Sequence, residues 1–309
     1  MGLGHWIRKQ PKLYREHGIL KASRENRTEL LMHALKRLDP IVTNGTPIYA
    51  KEWEVLIVLD ACRLDVIRSV ASQYSFLPNS ISGERSLASC SRLWMDRNFK
   101  DDFSSEMSDT TVVTANPYSQ NHMNKLHFAE IDEVWKYAWD ADIGTVPCRP
   151  VTDRAIDVVR SQNPNRLIVH YLQPHFPSVP KPIGSGLDLE QFGEGWDSVW
   201  DRLLHKEIDY ETAWNSYKAN LEYVLDDVEL LLENMQRDKI VITSDHGNAF
   251  GEWHQFGHPA NIPIPILRQV PWIMTSGKDN NQYTPQTERA EEDLEQSDIK
   301  ARLRDLGYV

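Results

Sequence analysis

A short apolar run, Ile240-Val241-Ile242, breaks into Thr243-Ser244-Asp245-His246-Gly247. An apolar run of this kind, bounded by turn residues, reads as a strand buried in a sheet. The chain must turn at Gly247, so a carboxylate and an imidazole arrive together at the strand's end. Taken alone, Asp-His-Gly is an ordinary turn, with Asp capping and Gly supplying a positive φ. A second stretch changes that reading. Val55-Leu56-Ile57-Val58-Leu59 is continuously apolar, as a strand covered on both faces is, and it stops at Asp60. A helix follows, with Leu64, Val66, Ile67 and Val70 as its apolar positions. Strand, acid, helix is how a parallel α/β unit opens. One acid in such a place is explained by helix capping, but two strands ending this way point to a shared site. Asp and His are ligands for divalent ions such as Zn and Mn, and open α/β sheets bind ligands at the carboxyl ends of their strands.

The remaining elements alternate in the same manner. Residues from about Leu13 to Leu38 read as helical, ended by Pro40 and Asn44-Gly45. Thr111 to Ala115 reads as a strand stopped by Asn116-Pro117, and Asp153 to Val159 as a short helix. Arg166 to Leu172 is a further strand running into Gln173-Pro174-His175-Phe176-Pro177, a rigid loop that carries a histidine. Lys181 to Gly195 is rich in Pro, Gly and acids and reads as a surface loop or lid. The longest helix spans Tyr210 to Met235, with Trp214, Tyr217, Leu221, Val224, Leu225, Val228 and Leu231 in a 3.6 period. His254 and His258 follow the Asp-His strand, Val270 to Met274 is a last strand, and Ile299 to Leu306 a closing helix. The expected class is α/β, with a mostly parallel central sheet and helices on both faces. Residues 1–50 are expected to form an N-terminal helical arm and 51–309 the catalytic domain.

Composition narrows the partners. The 309 residues are 40% hydrophobic and 26% charged, and the formal net charge is −11. That balance describes a globular chain and argues against nucleic acid, which calls for a basic surface. Three cysteines, Cys62, Cys90 and Cys148, without zinc-finger spacing suggest a reducing compartment. The sequence has no apolar run long enough to span a bilayer and no apolar signal core, so a cytoplasmic location is expected.

One stretch remains, Ser86-Leu87-Ala88-Ser89-Cys90-Ser91-Arg92, small and hydroxylated, leading into Leu93-Trp94-Met95 as a helix. A hydroxyl there is either a serine N-cap or a group surrounded by free helix amides that suit an anion. Arg92 is either a surface charge or a phosphate-facing cation.

With Leu59-Asp60, Ser89-Cys90-Ser91 and Ser244-Asp245-His246-Gly247 in this order, the chain resembles the alkaline phosphatase superfamily on its sulfatase-like branch. The resemblance runs from about Val55 to the strand near Met274. It implies the alkaline phosphatase-like three-layer sandwich, with Asp60, Asp245 and His246 as metal ligands and a nucleophile at the start of a helix. It also implies a Pro-His-x-Pro loop and a Gly-His pair on the substrate side, here His175 and His258. Tyr217-Lys-Ala-Asn-Leu-Glu looks like the family's long helix. Sulfatases need Cys-x-Pro-x-Arg, or its Ser form, for conversion to formylglycine. Here Cys90 is followed by Ser91-Arg92, without that proline. Relatives that use an unmodified Ser or Thr act on phosphate esters. By that resemblance Ser91 is the expected nucleophile, with Ser89 as the alternative.

The expected activity is therefore that of a metal-dependent hydrolase or transferase acting on phosphate esters. Ser91 attacks and also ligates the metal, Arg92 steadies the charge on the non-bridging oxygens, and His175 and His258 meet the substrate. His258 is also a candidate metal ligand. Gln173 lies near where two-metal relatives carry a further acid, which points to one firm metal site, with a second at His175 and His258 as the alternative to their contacting the substrate. The mixed carboxylate and imidazole ligands suit Mn or Zn, with Mg or Ca as alternatives. The substrate would be a small-molecule, glycan-linked or lipid-linked phosphate or sulfate ester. A sulfatase, and a catalytically silent binding protein of the same fold, are the competing readings.

Overall fold

A computed structural model describes residues 21–42, 45–183 and 198–286. Its centre is β1 (Val55–Leu59), whose five apolar side chains are all buried. A strand apolar on both sides needs a neighbour along each edge and cover on each face. β1 has parallel neighbours on both edges: β5 (Arg166–Tyr171) on one and β6 (Arg237–Thr243) on the other. Beyond β5 come β3 (Thr110–Thr114) and then β4 (Glu130–Glu133), again parallel. Beyond β6 comes β9 (Gln269–Gly277), antiparallel, and then β2 (Gly83–Arg85). The order is β2-β9-β6-β1-β5-β3-β4, and β9 alone in this sheet runs against the rest. A small hairpin, β7 (Ala249–Phe250) with β8 (Phe256–Gly257), stands apart from it.

Helices cover both faces of the sheet, and two adjacent residues of β5 show it. Successive side chains of a strand point to opposite faces. Tyr171 reaches Thr152 of one helix, hydroxyl to hydroxyl at 2.9 Å, whereas His170 meets the ring of Trp94 on another, centroids 5.9 Å apart. Beyond residue 45 the longer helices described, in chain order, are α1 (Leu64–Val70), α2 (Ser91–Asn98), α3 (Cys148–Gln162), α4 (Val199–His205) and α5 (Tyr210–Leu232). Thr152 lies on α3 and Trp94 on α2. α5 packs along α3 and buries Tyr217, Leu221, Val224, Leu225, Val228 and Leu231.

The mostly parallel sheet with helices on both faces is the architecture expected from the sequence. Its details differ in places. α3 begins at Cys148, ahead of the expected Asp153, because Pro150 sits in its first turn, where a missing N–H costs no hydrogen bond. β2, β4 and the β7–β8 hairpin are additional to the strands expected. The helix expected at Ile299 to Leu306 lies outside the described residues, as does the 184–195 part of the expected loop.

A helix over residues 21–36 leads into the short turn Asp39–Val42. Arg24 donates to the His205 carbonyl at 3.0 Å, and Leu35 joins Ala249, Ile262, Ile264 and Leu267 in a satellite apolar cluster. Cys62, Cys90 and Cys148 are free and buried.

Candidate active site

Four adjacent parallel strands, β6, β1, β5 and β3, end on the same edge of the sheet, and each hands a polar residue to one place. β1 delivers Asp60, the turn after β6 delivers Asp245 and His246, β5 carries His170, and the turn after β3 supplies Asn116. α2 begins at Ser91 on the same side. Ser91 Oγ lies 3.2 Å from Asp60 Oδ2 and 3.2 Å from His246 Nε2. His246 Nε2 is 3.3 Å from Asp245 Oδ2 and 3.6 Å from Asp60 Oδ1. All four side chains are fully buried.

Backbone and neighbouring groups fix each member. Asp245 Oδ1 accepts from the amides of Ala61 at 3.0 Å and His246 at 2.9 Å, so one oxygen of this carboxylate is committed. Asp245 Oδ2 is buried without a hydrogen bond. Asn116 donates to Asp60 Oδ2 at 2.8 Å and accepts the Tyr118 amide at 3.0 Å. Gly247 makes the turn that places His246. A side chain there would put its Cβ 2.2 Å from the Ile266 carbonyl, which only glycine avoids.

The orientation of the His246 ring follows from its partners. Its Nδ1 lies 2.9 Å from the Gly247 carbonyl, which can only accept, so Nδ1 donates there and Nε2 is turned into the cluster. That nitrogen faces two carboxylate oxygens. Three electron-rich atoms converge within 4.8 Å of one another, and a cation is what balances them. Asp60, Asp245 and His246 thus fit a divalent metal, and Asp245 Oδ2 has a coordination direction left open. Burial alone would push the Asp245 carboxyl up, but the His246 and His170 rings and the Ala61 amide outweigh it and hold that carboxyl below its usual range.

The other expected residues fall around this group. His175 and His258 face each other, Nε2 to Nε2 at 2.8 Å, and the His258 ring is 4.6 Å from that of His246, centroid to centroid. His175 Nδ1 is held by the Phe176 carbonyl. Burial pushes His175 down to about 4 and His258 well below the ordinary imidazole value, with His246 adding to both. Both rings are therefore neutral at neutral pH. His170, on β5, is buried, driven down to about 4 by burial, and 4.0 Å from Asp60 Oδ2. Arg92 is exposed on the first turn of α2. Burial raises the Cys90 thiol, against the Leu93 amide and the Arg92 charge.

Ser89 is engaged elsewhere. It donates to the Pro259 carbonyl at 2.8 Å and accepts the Ile262 amide at 3.1 Å, pinning the loop that carries His258. His254 is exposed on the hairpin, away from the cluster. Gln173 donates to the Val146 carbonyl at 2.9 Å and accepts from the Cys148 thiol at 3.2 Å, so it serves the core. Asn116 and Ser244 also border the cluster, at positions whose residue types mark only turns. Asn116-Pro117 reads as a strand stop, and nothing in that pair signals a bond to Asp60. Ser244 accepts the Cys62 amide at 2.8 Å and so ties the β6 turn to the β1 turn.

No family model matches this sequence, and no curated protein does. Solved structures do match. One is the integral membrane protein lipooligosaccharide phosphoethanolamine transferase A of Neisseria meningitidis, 14% identical, with a TM-score of 0.51. The match covers 91% of this chain and 60% of that one, so this chain spans less than two thirds of that transferase. The chain shares the fold of that transferase's matched part. Two weaker matches are to the C-terminal periplasmic domain of a phosphoethanolamine transferase from Escherichia coli in complex with Zn and to the phosphoglycerol transferase of Streptococcus pyogenes. The first is 14% identical over 77% of each chain, with a TM-score of 0.46. The second is 11% identical over 94% of this chain and 93% of that one, with a TM-score of 0.41.

The match to the Neisseria protein corrects the cytoplasmic location expected above, because this fold is shared with an integral membrane protein. Sparse cysteines and an acidic composition do not separate such proteins from cytoplasmic ones. Among the described residues, no helix is long and apolar enough to cross a membrane.

Proposed function

We propose that this protein is a metal-dependent hydrolase or transferase of phosphate esters, with Ser91 as the nucleophile. The observation that carries the proposal is the position of Ser91 Oγ, 3.2 Å from Asp60 Oδ2 and from His246 Nε2, at the first residue of α2. A divalent cation held by Asp60, Asp245 and His246 would supply positive charge beside that hydroxyl, lowering the cost of ionising it and of gathering anionic oxygens there.

The residues of the chain divide the remaining work. Asp60 accepts the Ser91 hydrogen bond and orients the oxygen. Ser91 Oγ passes its proton to Asp60 Oδ2 and forms a bond to phosphorus as the ester oxygen opposite it departs, leaving a phosphoseryl enzyme. The first amides of α2 and the exposed Arg92 guanidinium face the non-bridging oxygens. Because His175 Nδ1 donates to the Phe176 carbonyl, His175 Nε2 accepts, and the proton between the two rings belongs to His258 Nε2. That N–H can donate a hydrogen bond to a leaving oxygen that takes the place of His175 Nε2. Water or a second hydroxyl then attacks phosphorus, and Ser91 is released. Phosphoester chemistry is also what the name of the Neisseria transferase states.

The test is turnover of aryl phosphate monoester, phosphodiester and sulfate substrates, with metal content measured alongside. Ser91→Ala should lose phosphoester turnover by about three orders of magnitude or more, while Ser89→Ala retains most of it. Peptide mass should find the phosphoryl group on Ser91. Unchanged turnover in Ser91→Ala would remove it as nucleophile, and turnover of sulfate esters alone would select the sulfatase reading.

A further inference from the structure

The site is tied to the N-terminal segment through a buried ion cluster. Asp39, just after the 21–36 helix, is buried and holds two arginines. Arg268 Nη1 donates to its Oδ1 at 2.9 Å and Arg97 Nη2 to its Oδ2 at 3.0 Å. Both arginines continue toward the site. Arg268 Nε donates to the Ser86 carbonyl at 2.8 Å, and the Ser86 amide donates back to the Arg268 carbonyl at 2.7 Å. The Ser86 hydroxyl donates to the carbonyl of Asp245 itself. Arg97, on the last turn of α2, donates to the Leu87 carbonyl and to Asn261 Oδ1, the latter at 2.9 Å. The Ser86–Leu87 backbone, which leads into Ser91, is therefore held from both sides by cations that share one anion.

Two further observations show that the contact is built. Gly45 lies so close to this backbone that a Cβ would stand 2.6 Å from the Arg85 carbonyl and 2.9 Å from the Leu87 amide. Arg268 is fully buried, and burial with the charges of Arg85 and Arg97 pulls its guanidinium down to about 10 against the support of Asp39. Two arginines on one buried carboxylate, with the charge of Arg85 nearby, are not assembled for stability alone, since buried ion pairs seldom outdo apolar packing. It fixes position.

We propose that Asp39 is a positioning residue for the site: through Arg268 and Arg97 it sets where the Asp245 turn and the Ser91 helix stand relative to each other. The proposal rests on the metal-site reading given above. Asp39 touches neither substrate nor metal, so the readout is the geometry of the ligand set, measured as affinity for Mn2+ alone by titration calorimetry. Asp39→Asn keeps the size and one acceptor but removes the shared charge. It should weaken Mn2+ binding about tenfold, the lower end of what partners of metal ligands contribute. Asp39→Glu should recover part of that loss. Leu35→Ala is the control, because it loosens the same segment through apolar packing outside the ion cluster and should leave Mn2+ affinity unchanged. Arg97→Gln, at a partly exposed side chain that tolerates replacement, should shift affinity in the same direction as Asp39→Asn. Wild-type affinity in both Asp39→Asn and Arg97→Gln, or an equal loss in Leu35→Ala, would overturn the proposal. A wild-type protein that binds neither Mn2+ nor Zn2+ would sink the site reading and this inference with it.

Discussion

Asn116 shows how far a single residue can matter without ligating anything. Its amide donates to Asp60 Oδ2, the same oxygen that receives the Ser91 hydroxyl, and its own carbonyl oxygen is fixed by the Tyr118 amide. Asn116→Ala frees the Asp60 carboxylate to rotate and should reduce divalent-metal affinity by about 10-fold to 100-fold. Calorimetry on the folded variant would show it, and an unchanged affinity would make Asn116 a core residue only. Asp60, Asp245 and His246 were legible in the sequence because each sits at a strand end marked by a chemical type. Asn116 was not, because asparagine before proline is the common chemistry of a turn.

The buried imidazoles add a dependence on pH. His170 and His175 are held near 4, below the ordinary value, by burial. The unfolded chain binds protons at these rings first, so the metal-free protein should lose stability as pH falls from about 6.5 toward about 4. Each ring contributes about 3 kcal/mol at most over that range. Urea midpoints measured in chelator at pH 7.5 and pH 5 should differ in that sense, and His170→Asn should flatten the difference. A midpoint that rises on acidification contradicts the assignment of neutral buried rings.

Among the elements, α5 is the one that braces the site from behind. Tyr217, near its middle, accepts the Arg63 amide at 3.0 Å and donates to the Ala61 carbonyl. Ala61 directly follows Asp60, adopts a left-handed φ of 60°, and gives its amide to Asp245. The hydroxyl of a helix residue thus holds the unusual turn that joins two ligands. Tyr217→Phe leaves two buried backbone groups unpaired and should cost about 1–3 kcal/mol of stability. The ring packing against Phe176 and Phe250 is retained, so the variant should fold. Chemical denaturation would measure the loss, and a cost near zero would mean that the turn holds itself.

The elements differ in how openly the sequence declares them. β1, β5 and β6 carry apolar runs that no surface segment would keep, and α5 carries an unbroken helical period. β4 reads Glu-Ile-Asp-Glu and lies at the sheet's edge with only β3 beside it, so its pattern is that of a polar loop. β2 has three residues and pairs only through the register of β9. Such edge strands are specified by the neighbour they meet, not by their own side chains.

For the whole molecule, the decisive fact is the strand order. β6, β1, β5 and β3 lie side by side and run the same way, so residues as distant as Asp60, Asn116, His170 and Asp245 emerge together. No local stretch states that order, and the shared site follows from it. Its cost is charge, because two carboxylates lie fully buried within reach of one another in a chain of net charge −11. A cation that binds only the folded state offsets that cost. At a hundredfold excess over its dissociation constant it adds about 3 kcal/mol, which in a chain of this size raises the melting temperature by roughly 5–10 °C. Wild-type protein should therefore melt lower in chelator than in Mn2+ or Zn2+ by that interval. Asp245→Asn removes one ligand and much of the repulsion, so its melting temperature should be nearly the same in both conditions and should not fall below that of the chelated wild type. If wild type melted identically with and without metal, a divalent cation would not be what balances the convergence of Asp60, Asp245 and His246.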